Sequence, residues 1–548
     1  MNPKTLQIHP NDNVLVALQD LSAGESVFMG DFELTVKEDI PAKHKLAIQS
    51  FEKNQEVIMY GLLVGKATQA IPAGGLLSTE NIKHQAADFK INSSTYQWEK
   101  PDVSRFEKRQ FMGYQRPDGQ VGTRNYWLVI PLVFCENRNV ETIREAFAEE
   151  LGFAKSNPYK QLVRAMADSF KKGNLAELDR LQAGSDSEKQ APKLFENIDG
   201  IKFLTHQGGC GGTRQDSESL CALLAGYINN PNVAGATVLS LGCQNAQVDI
   251  LHQKLAAINP SFDKTVLVFE QQKSGTEQEL LTEAIKETFK ALVKANQAER
   301  KPAPLSKLTM GLECGGSDGF SGISANPAVG YASDLLVALG GKTMLAEFPE
   351  LCGVEQELIN RCSNEKKAEK FSQLMKSYAS RAEAVGSGFD MNPSPGNIKD
   401  GLITDAIKSA GAAKKGGNSP VTDVLDYGEY ASTPGLNLLC TPGNDVESTT
   451  ALAGAGSNVI LFTTGLGTPT GNPICPVLKI SSNHQLAKRM PDIIDINTGF
   501  IISGEKSIQE MGEEILEKVI EVASGITDTK AMLLEQDDFI PWKRGVSL

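Results

Sequence analysis

The chain is poor in positive charge. Its 54 Lys and Arg residues are outnumbered by 67 Asp and Glu, for a formal net charge of −13. A nucleic-acid partner needs a basic footprint and is not expected. No apolar run approaches the ~18 residues of a membrane span. There is also no charged-then-apolar leader, so a cytoplasmic protein without a membrane partner is expected. Aromatic residues make up only 6% of the chain, too few beside its glycine-rich segments for a nucleobase site. No C-x-x-C or H-E-x-x-H occurs, and "GGCGG" is not a dinucleotide fingerprint. "LGGKTM" fails as a phosphate loop, because the first glycine of G-x-x-x-x-G-K-T falls on Leu336 and the glycine pair precedes a strand. Nine cysteines scattered along the chain suit a reducing compartment, as free thiols or metal ligands rather than disulfides.

What the chain does have is length and alternation. Its 548 residues predict three or four domains at about 150 residues each. Residues 1–84 read as a small β-rich module: "NVLVALQDL", "FELTV", "HKLAIQSF" and "EVIMYGLLVGKAT" are short apolar runs separated by turn residues. Residues 85–110 are polar and aperiodic and read as a linker. From 111 strands and helices alternate: "YWLVIPLVF", "IKFLTH", "ATVLSL", "TVLVFE", "LTMGLE" and "KTMLAEF" are strand candidates with helical stretches between them. That pattern predicts a large parallel-sheet α/β region, divided into a central domain, 111–390, and a C-terminal domain, 391–548. The charged segment 155–195 reads as a helical insertion.

Chemistry gathers where strands are expected to end. Cys135, Cys210, Cys243 and Cys314 each lie just past a predicted strand, and in an open parallel sheet those ends face one crevice. Metal or cluster ligation by some of the four is therefore expected. Cys221, Cys352, Cys362, Cys440 and Cys475 read as packing. "THQGGCGGTR" adds His206, a ligand, a base or a hydrogen-bonded structural histidine, and glycines whose N–H groups can cradle an anion. "ECGGSDGFSG" offers Glu313 and Asp318, and "AEFPELCGVE" offers Glu347, Glu350 and Glu355. Carboxylates bind hard cations or move protons. Asn245, Asn326, Asn397 and Lys399 complete a lining suited to a polyhydroxylated anion.

Several blocks resemble the altronate/galactarate dehydratase family. "DNVLVALQDL … DIPAKHK … YGLLVGKATQAIPAGG" is similar to its N-terminal SAF module. "RPDGQVGTRNYWLVIP", "LGCQNAQ", "GLECGGSDGFSGISANPAVG", "NPSPGNIKDG" and "TPGNDVESTTALAGAG" are similar to its central and C-terminal signatures. The similarity runs from end to end, and "NPSPGN", "GLNLL-TPGND" and "GTP-G" resemble the altronate-acting members. The resemblance implies a hydro-lyase converting D-altronate to 2-dehydro-3-deoxy-D-gluconate and water in hexuronate breakdown. Galactarate or another sugar acid is the alternative substrate. It also implies a divalent metal, iron(II), with Mn2+ or an iron–sulfur cluster as alternatives. Two departures stand out: Ser78 and Glu80 replace a histidine pair, with His84 shortly after, and Leu466 stands where many members have arginine.

The reaction removes the C2 proton of the acid and expels the C3 hydroxyl. It needs a base, an acid, and positive charge near the developing enediolate. The expected site has metal at Cys210, Cys243 and Cys314, with His44, His206 and Glu313 as catalytic groups. Arg124, Asn245, Asp318, Asn397 and Lys399 are expected to hold the substrate. A homodimer is expected. A non-catalytic sugar-acid sensor is the reading from another class.

Overall fold

The computed structural model describes residues 3–29, 32–91, 96–154, 157–184 and 192–547. The N-terminal module is antiparallel throughout. One sheet runs in the order Thr5–Leu6, Val14–Ala17, Lys45–Ala47, Leu76–Leu77, and Glu56–Met59, Leu62–Ala67 and Ile82–Lys83 form another. The expected β-rich module is present, and it is not freestanding. Val14, Val16, Val57 and Val64 share a core with Phe320, Ile323, Leu402 and Ile407 of the distant C-terminal region. A module of this size buries little apolar surface by itself, so a shared core stabilises it.

Two parallel sheets follow. The first has the order Gly200–Phe203, Tyr126–Pro131, Val233–Ser240, Thr265–Glu270, with all pairings parallel. Its connections carry the helices Asn137–Ala148, Arg214–Asn229 and Val248–Ile258, as parallel crossovers require. The second has seven strands: Val421–Leu425, Gly435–Leu439, Lys342–Leu345, Thr309–Cys314, Val459–Thr464, Val477–Ser481, Ile496–Asn497. These pairings are also parallel. Both sheets are buried on their faces, which explains the nearly continuous apolar runs of their strands. Asn232 ties the sheets together, donating through Nδ2 to Asn458 O at 3.1 Å and Ile474 O at 2.8 Å.

The expected division at residues 390/391 is corrected. Thr309–Cys314 and Lys342–Leu345 pair with strands from beyond residue 420, so the chain passes from one sheet to the other near residue 305. Local alternation continues unbroken across that point, so periodicity gives no sign of the change of sheet. The 85–110 stretch is irregular in its described part, and it is anchored. Phe106 is buried in the C-terminal core, and Arg105 and Arg109 pair with Glu513 and Glu517. In the 155–195 insertion the helix Pro158–Lys171 is present; residues 155–156 and 185–191 lie outside the described residues.

Candidate active site

Thr309–Cys314 is the central strand of the seven. The chain leaves it first toward Lys342–Leu345 on one side and later returns to Val459–Thr464 on the other. This is the topological switch point, where an open α/β sheet leaves a crevice at its strand C-termini. Glu313 and Cys314 end this strand, and Glu347 follows the end of its neighbour. Glu347 has φ 65, left-handed and unfavourable for a residue with a side chain, and its N–H is held by Thr441 Oγ1 at 2.8 Å.

A buried charge cluster results. Cys314 Sγ lies 3.4 Å from Glu347 Oε2 and 3.1 Å from Glu350 Oε2. Lys415 Nζ is 2.6 Å from the same sulfur and 3.0 Å from Glu347 Oε2, and Lys408 Nζ is 2.6 Å from Glu350 Oε1. Ser448 Oγ donates to Glu313 Oε2 at 2.6 Å. Glu313 Oε1 and Glu347 Oε1 are buried without a partner. Burial, then the Glu347 charge, pushes the Glu313 carboxyl well above its usual range and keeps it protonated. Burial opposes ionisation of Glu350 too, but Lys408 and Lys415 prevail and hold it below the ordinary value. Burial and the Glu347 and Glu350 charges keep the Cys314 thiol protonated. Asp445, half-buried, is raised to about 7 by burial and by the same two glutamates.

The loop leaving Cys314 is glycine-rich because other groups lie against it. A Cβ on Gly315 would sit 2.1 Å from Asp445 Oδ2, and one on Gly319 would sit 2.4 Å from the Lys43 carbonyl oxygen. The loop is thus gripped between Asp445 and the turn of residues 41–45 from the N-terminal module. Gly319 N donates to Asp400 O at 2.8 Å. Lys43 Nζ bridges Asp318 at 3.1 Å and Asp400 at 2.7 Å. Buried Lys45 donates to Gly401 O at 2.6 Å, and burial lowers its pKa to about 7. His44 is half-buried on the same turn, its Nδ1 3.2 Å from Ala42 O. Burial lowers its pKa and favours the neutral ring. Donation by Nδ1–H to that carbonyl leaves Nε2 as a free base. Gly315–Gly319 also spells G-x-S-x-G, a hydrolase spacing, but among the described residues no imidazole bonds the Ser317 hydroxyl.

The sequence-derived site is partly assembled. Glu313, Cys314 and Asp318 lie at the strand end and on the loop leaving it, with Asn397 and the turn of His44 packed against that loop. Asp318 is fully engaged, accepting from Ser321, Ser482, Asn483 and Lys43, and so shapes the loop. Asn397 donates to Ser317 O at 2.7 Å and braces the loop from behind. Lys399 is exposed next to Asp400. The triad Cys210, Cys243, Cys314 is not brought together. Cys314 is enclosed by carboxylates and a lysine of its own sheet, whereas Cys210 and Cys243 are exposed on loops of the four-stranded sheet. Cys135 is exposed at that same edge, and Cys210 lines a cavity of about 1010 Å³ there.

His206 is a structural residue. It is buried, with Nε2 2.8 Å from Pro131 O and Nδ1 accepting from Gly208 N at 3.1 Å, and burial lowers its pKa to about 4. Arg124 is also internal, spending its guanidinium on Thr123 O, Val522 O and Asp528. Asn245 accepts from Arg214 at the four-stranded edge. Sequence reasoning passed over Lys43, Lys45, Lys408, Lys415 and Asp445. Lysines read as solvated surface, and the available signal was the glycine after Lys415 and the strand-end position of the loop holding Asp445.

Three family models cover nearly the whole chain. "Altronate/galactarate dehydratase SAF domain" matches residues 3–85, "D-galactarate dehydratase/Altronate hydrolase, second domain" matches 113–296, and "D-galactarate/Altronate dehydratase, C-terminal" matches 305–547. The chain is 35% identical to an altronate dehydratase of Bacillus subtilis (strain 168) over 546 residues, 99% of each chain. It is 34% identical to an altronate dehydratase of Escherichia coli (strain K12) over 547 residues, again 99% of each. It is 32% identical to the galactarate dehydratase (L-threo-forming) of Escherichia coli over 527 residues, 95% of this chain and 92% of the other.

Proposed function

The chain belongs to the altronate/galactarate dehydratase family and is a hydro-lyase acting on a sugar acid, and from that premise we propose that its substrate is D-altronate. The product is 2-dehydro-3-deoxy-D-gluconate, formed in the cytoplasm during hexuronate breakdown by a homodimer. The full-length similarity to two altronate dehydratases supports this choice of acid. Arg489 Nη2 donates to Leu466 O at 3.0 Å, so a guanidinium reaches the loop in which Leu466 replaces the arginine of many members.

The observation that carries the site is the glycine loop 315–319, held between Asp445 and the 41–45 turn above a buried lysine–carboxylate cluster. Substrate lies along this loop. His44 Nε2, unprotonated because Nδ1–H is committed to Ala42 O, takes the C2 proton. Asp445, with its pKa near 7, protonates the departing C3 hydroxyl. Lys43, bridging Asp318 and Asp400, holds the turn that carries His44 against this loop. Loss of water leaves an enol, which tautomerises to the 2-keto acid.

Iron(II) does not fit the Cys314 cluster in this arrangement. The Lys415 ammonium occupies the space between the sulfur and Glu347, and Lys408 neutralises Glu350. No step is therefore routed through a metal there. The test is anaerobic turnover of D-altronate and galactarate, with iron(II) and reductant present or chelated away, read as 2-keto-3-deoxy acid. Product from altronate alone supports the reading. Product from galactarate alone overturns the choice of acid, and product from neither overturns the function.

A further inference from the structure

We propose that His84, Cys352 and Asp405 form a binding site for one divalent transition-metal cation of the zinc or iron(II) class. The site would lie on the seam between the N-terminal module and the C-terminal region. The three residues come from three elements: His84 follows the strand Ile82–Lys83, Cys352 follows the short helix Phe348–Leu351, and Asp405 opens the helix Asp405–Ala412. One nitrogen, one sulfur and one oxygen from them all lie within 4.8 Å of one another. That mixed donor set suits a borderline-soft divalent ion, and three protein ligands leave a position for water.

Independent observations point the same way. Asp405 is 1% exposed, and its Oδ2 is buried without a hydrogen-bond partner. A buried carboxylate oxygen in that condition is costly unless something positive meets it. The nearby Lys408 is committed to Glu350 at 2.6 Å and to Asn392 at 2.8 Å. His84 is not committed either, since its contact with Ala406 N is 3.4 Å, near the limit of a hydrogen bond. It also lines a cavity of about 490 Å³ with Asp390 and Glu383, which gives an ion a way in. Cys352, which reads from sequence as packing, is half-buried, forms no disulfide, and meets the Asp405 carboxylate through its thiol. An ion here would clip the module onto the C-terminal region beside the Thr404 Oγ1 to Val64 O hydrogen bond of 2.8 Å. It would fix the docking that presents His44.

The full-length chain, stripped by chelator and kept reduced, is titrated with Co2+. The expected result is one Co2+ per chain with a thiolate-to-cobalt charge-transfer band. Cys352→Ser abolishes the band, and His84→Gln and Asp405→Asn weaken binding on the order of tenfold or more. As a second readout, Zn2+ raises the unfolding temperature of the wild-type chain and not that of the His84→Gln chain. Absence of a thiolate band, or a band that survives Cys352→Ser, overturns the proposal. Sugar-acid turnover is read separately, so failure of the dehydratase reading would not move the cobalt signal.

Discussion

Acidification from pH 7 to pH 4 charges a buried imidazole, and its cost can be worked out for His206. In the folded chain the neutral ring is satisfied on both sides, by Pro131 O and by Gly208 N. Burial lowers its pKa from 6.5 to about 4. That gap of ~2.5 units, at ~1.36 kcal/mol each, is worth about 3 kcal/mol. The sign follows from proton counting. Between pH 6.5 and 4 the unfolded chain binds the proton and the folded chain does not. The contribution is therefore complete above pH 6.5, is lost as pH falls, and levels off near pH 4. His206→Gln keeps a donor toward Pro131 O and cannot titrate. The stability gap between wild type and variant should therefore narrow by about 3 kcal/mol between pH 7 and pH 4. At ~2.1 cal/mol/K per residue, the 548-residue chain unfolding as one unit shifts by ~1 °C per kcal/mol, so that is roughly 3 °C in the difference between their unfolding temperatures. Thermal unfolding of both chains across the pH range measures it. A gap that does not change with pH would refute the buried neutral histidine. A variant that folds but loses the acid limb of its kcat profile would restore His206 as a base.

Lys415→Met removes the cation between Cys314 and Glu347 and leaves Glu347 buried beside Glu350. Breaking such a pair costs about 3–5 kcal/mol, seen as earlier thermal unfolding. The cost should shrink at low pH, where Glu347 takes up a proton, and Glu347→Gln added to the variant should recover part of it. His44→Asn should lower kcat by roughly 10²–10⁴ with KM little changed, measured as keto-acid formation. Asp445→Asn should remove the decline of kcat above about pH 7, because the acid it replaces must be protonated to act; an unchanged pH–rate profile would exclude Asp445. Gly319→Ala places a methyl 2.4 Å from Lys43 O. It should cost about 1–3 kcal/mol and loosen the N-terminal module, read as faster proteolysis within residues 3–85.

The parts of the site that the sequence exposed are those with a local signature. "ECGGSDGFSG" is legible because a strand ending in glycines and acids cannot be core, and it does lie at the switch point. His44 is legible as a turn residue of the N-terminal module. The cysteine grouping went astray because four thiols at four strand ends look alike in sequence, while the ends belong to two sheets. The lysines were missed for a different reason. Lys415 meets Cys314 across 101 residues of chain, and nothing in the local composition of "AAKKGG" says that its ammonium is buried.

By itself the sequence determined the secondary structure and its class. Alternation of period 2 and 3.6 is a property of neighbouring residues, so the β-rich module, the parallel α/β region and the strand-end loops follow from it. Tertiary structure decided which strand ends share a crevice, through the order of strands in each sheet. It placed Cys314 among Glu347, Glu350 and Lys415 instead of beside Cys210 and Cys243. It seated the 41–45 turn against a loop nearly three hundred residues away. Pairings at that separation are selected by burial and by neutralisation of charge in the folded interior. Those energies exist only once distant segments meet, so no stretch of chain carries them alone.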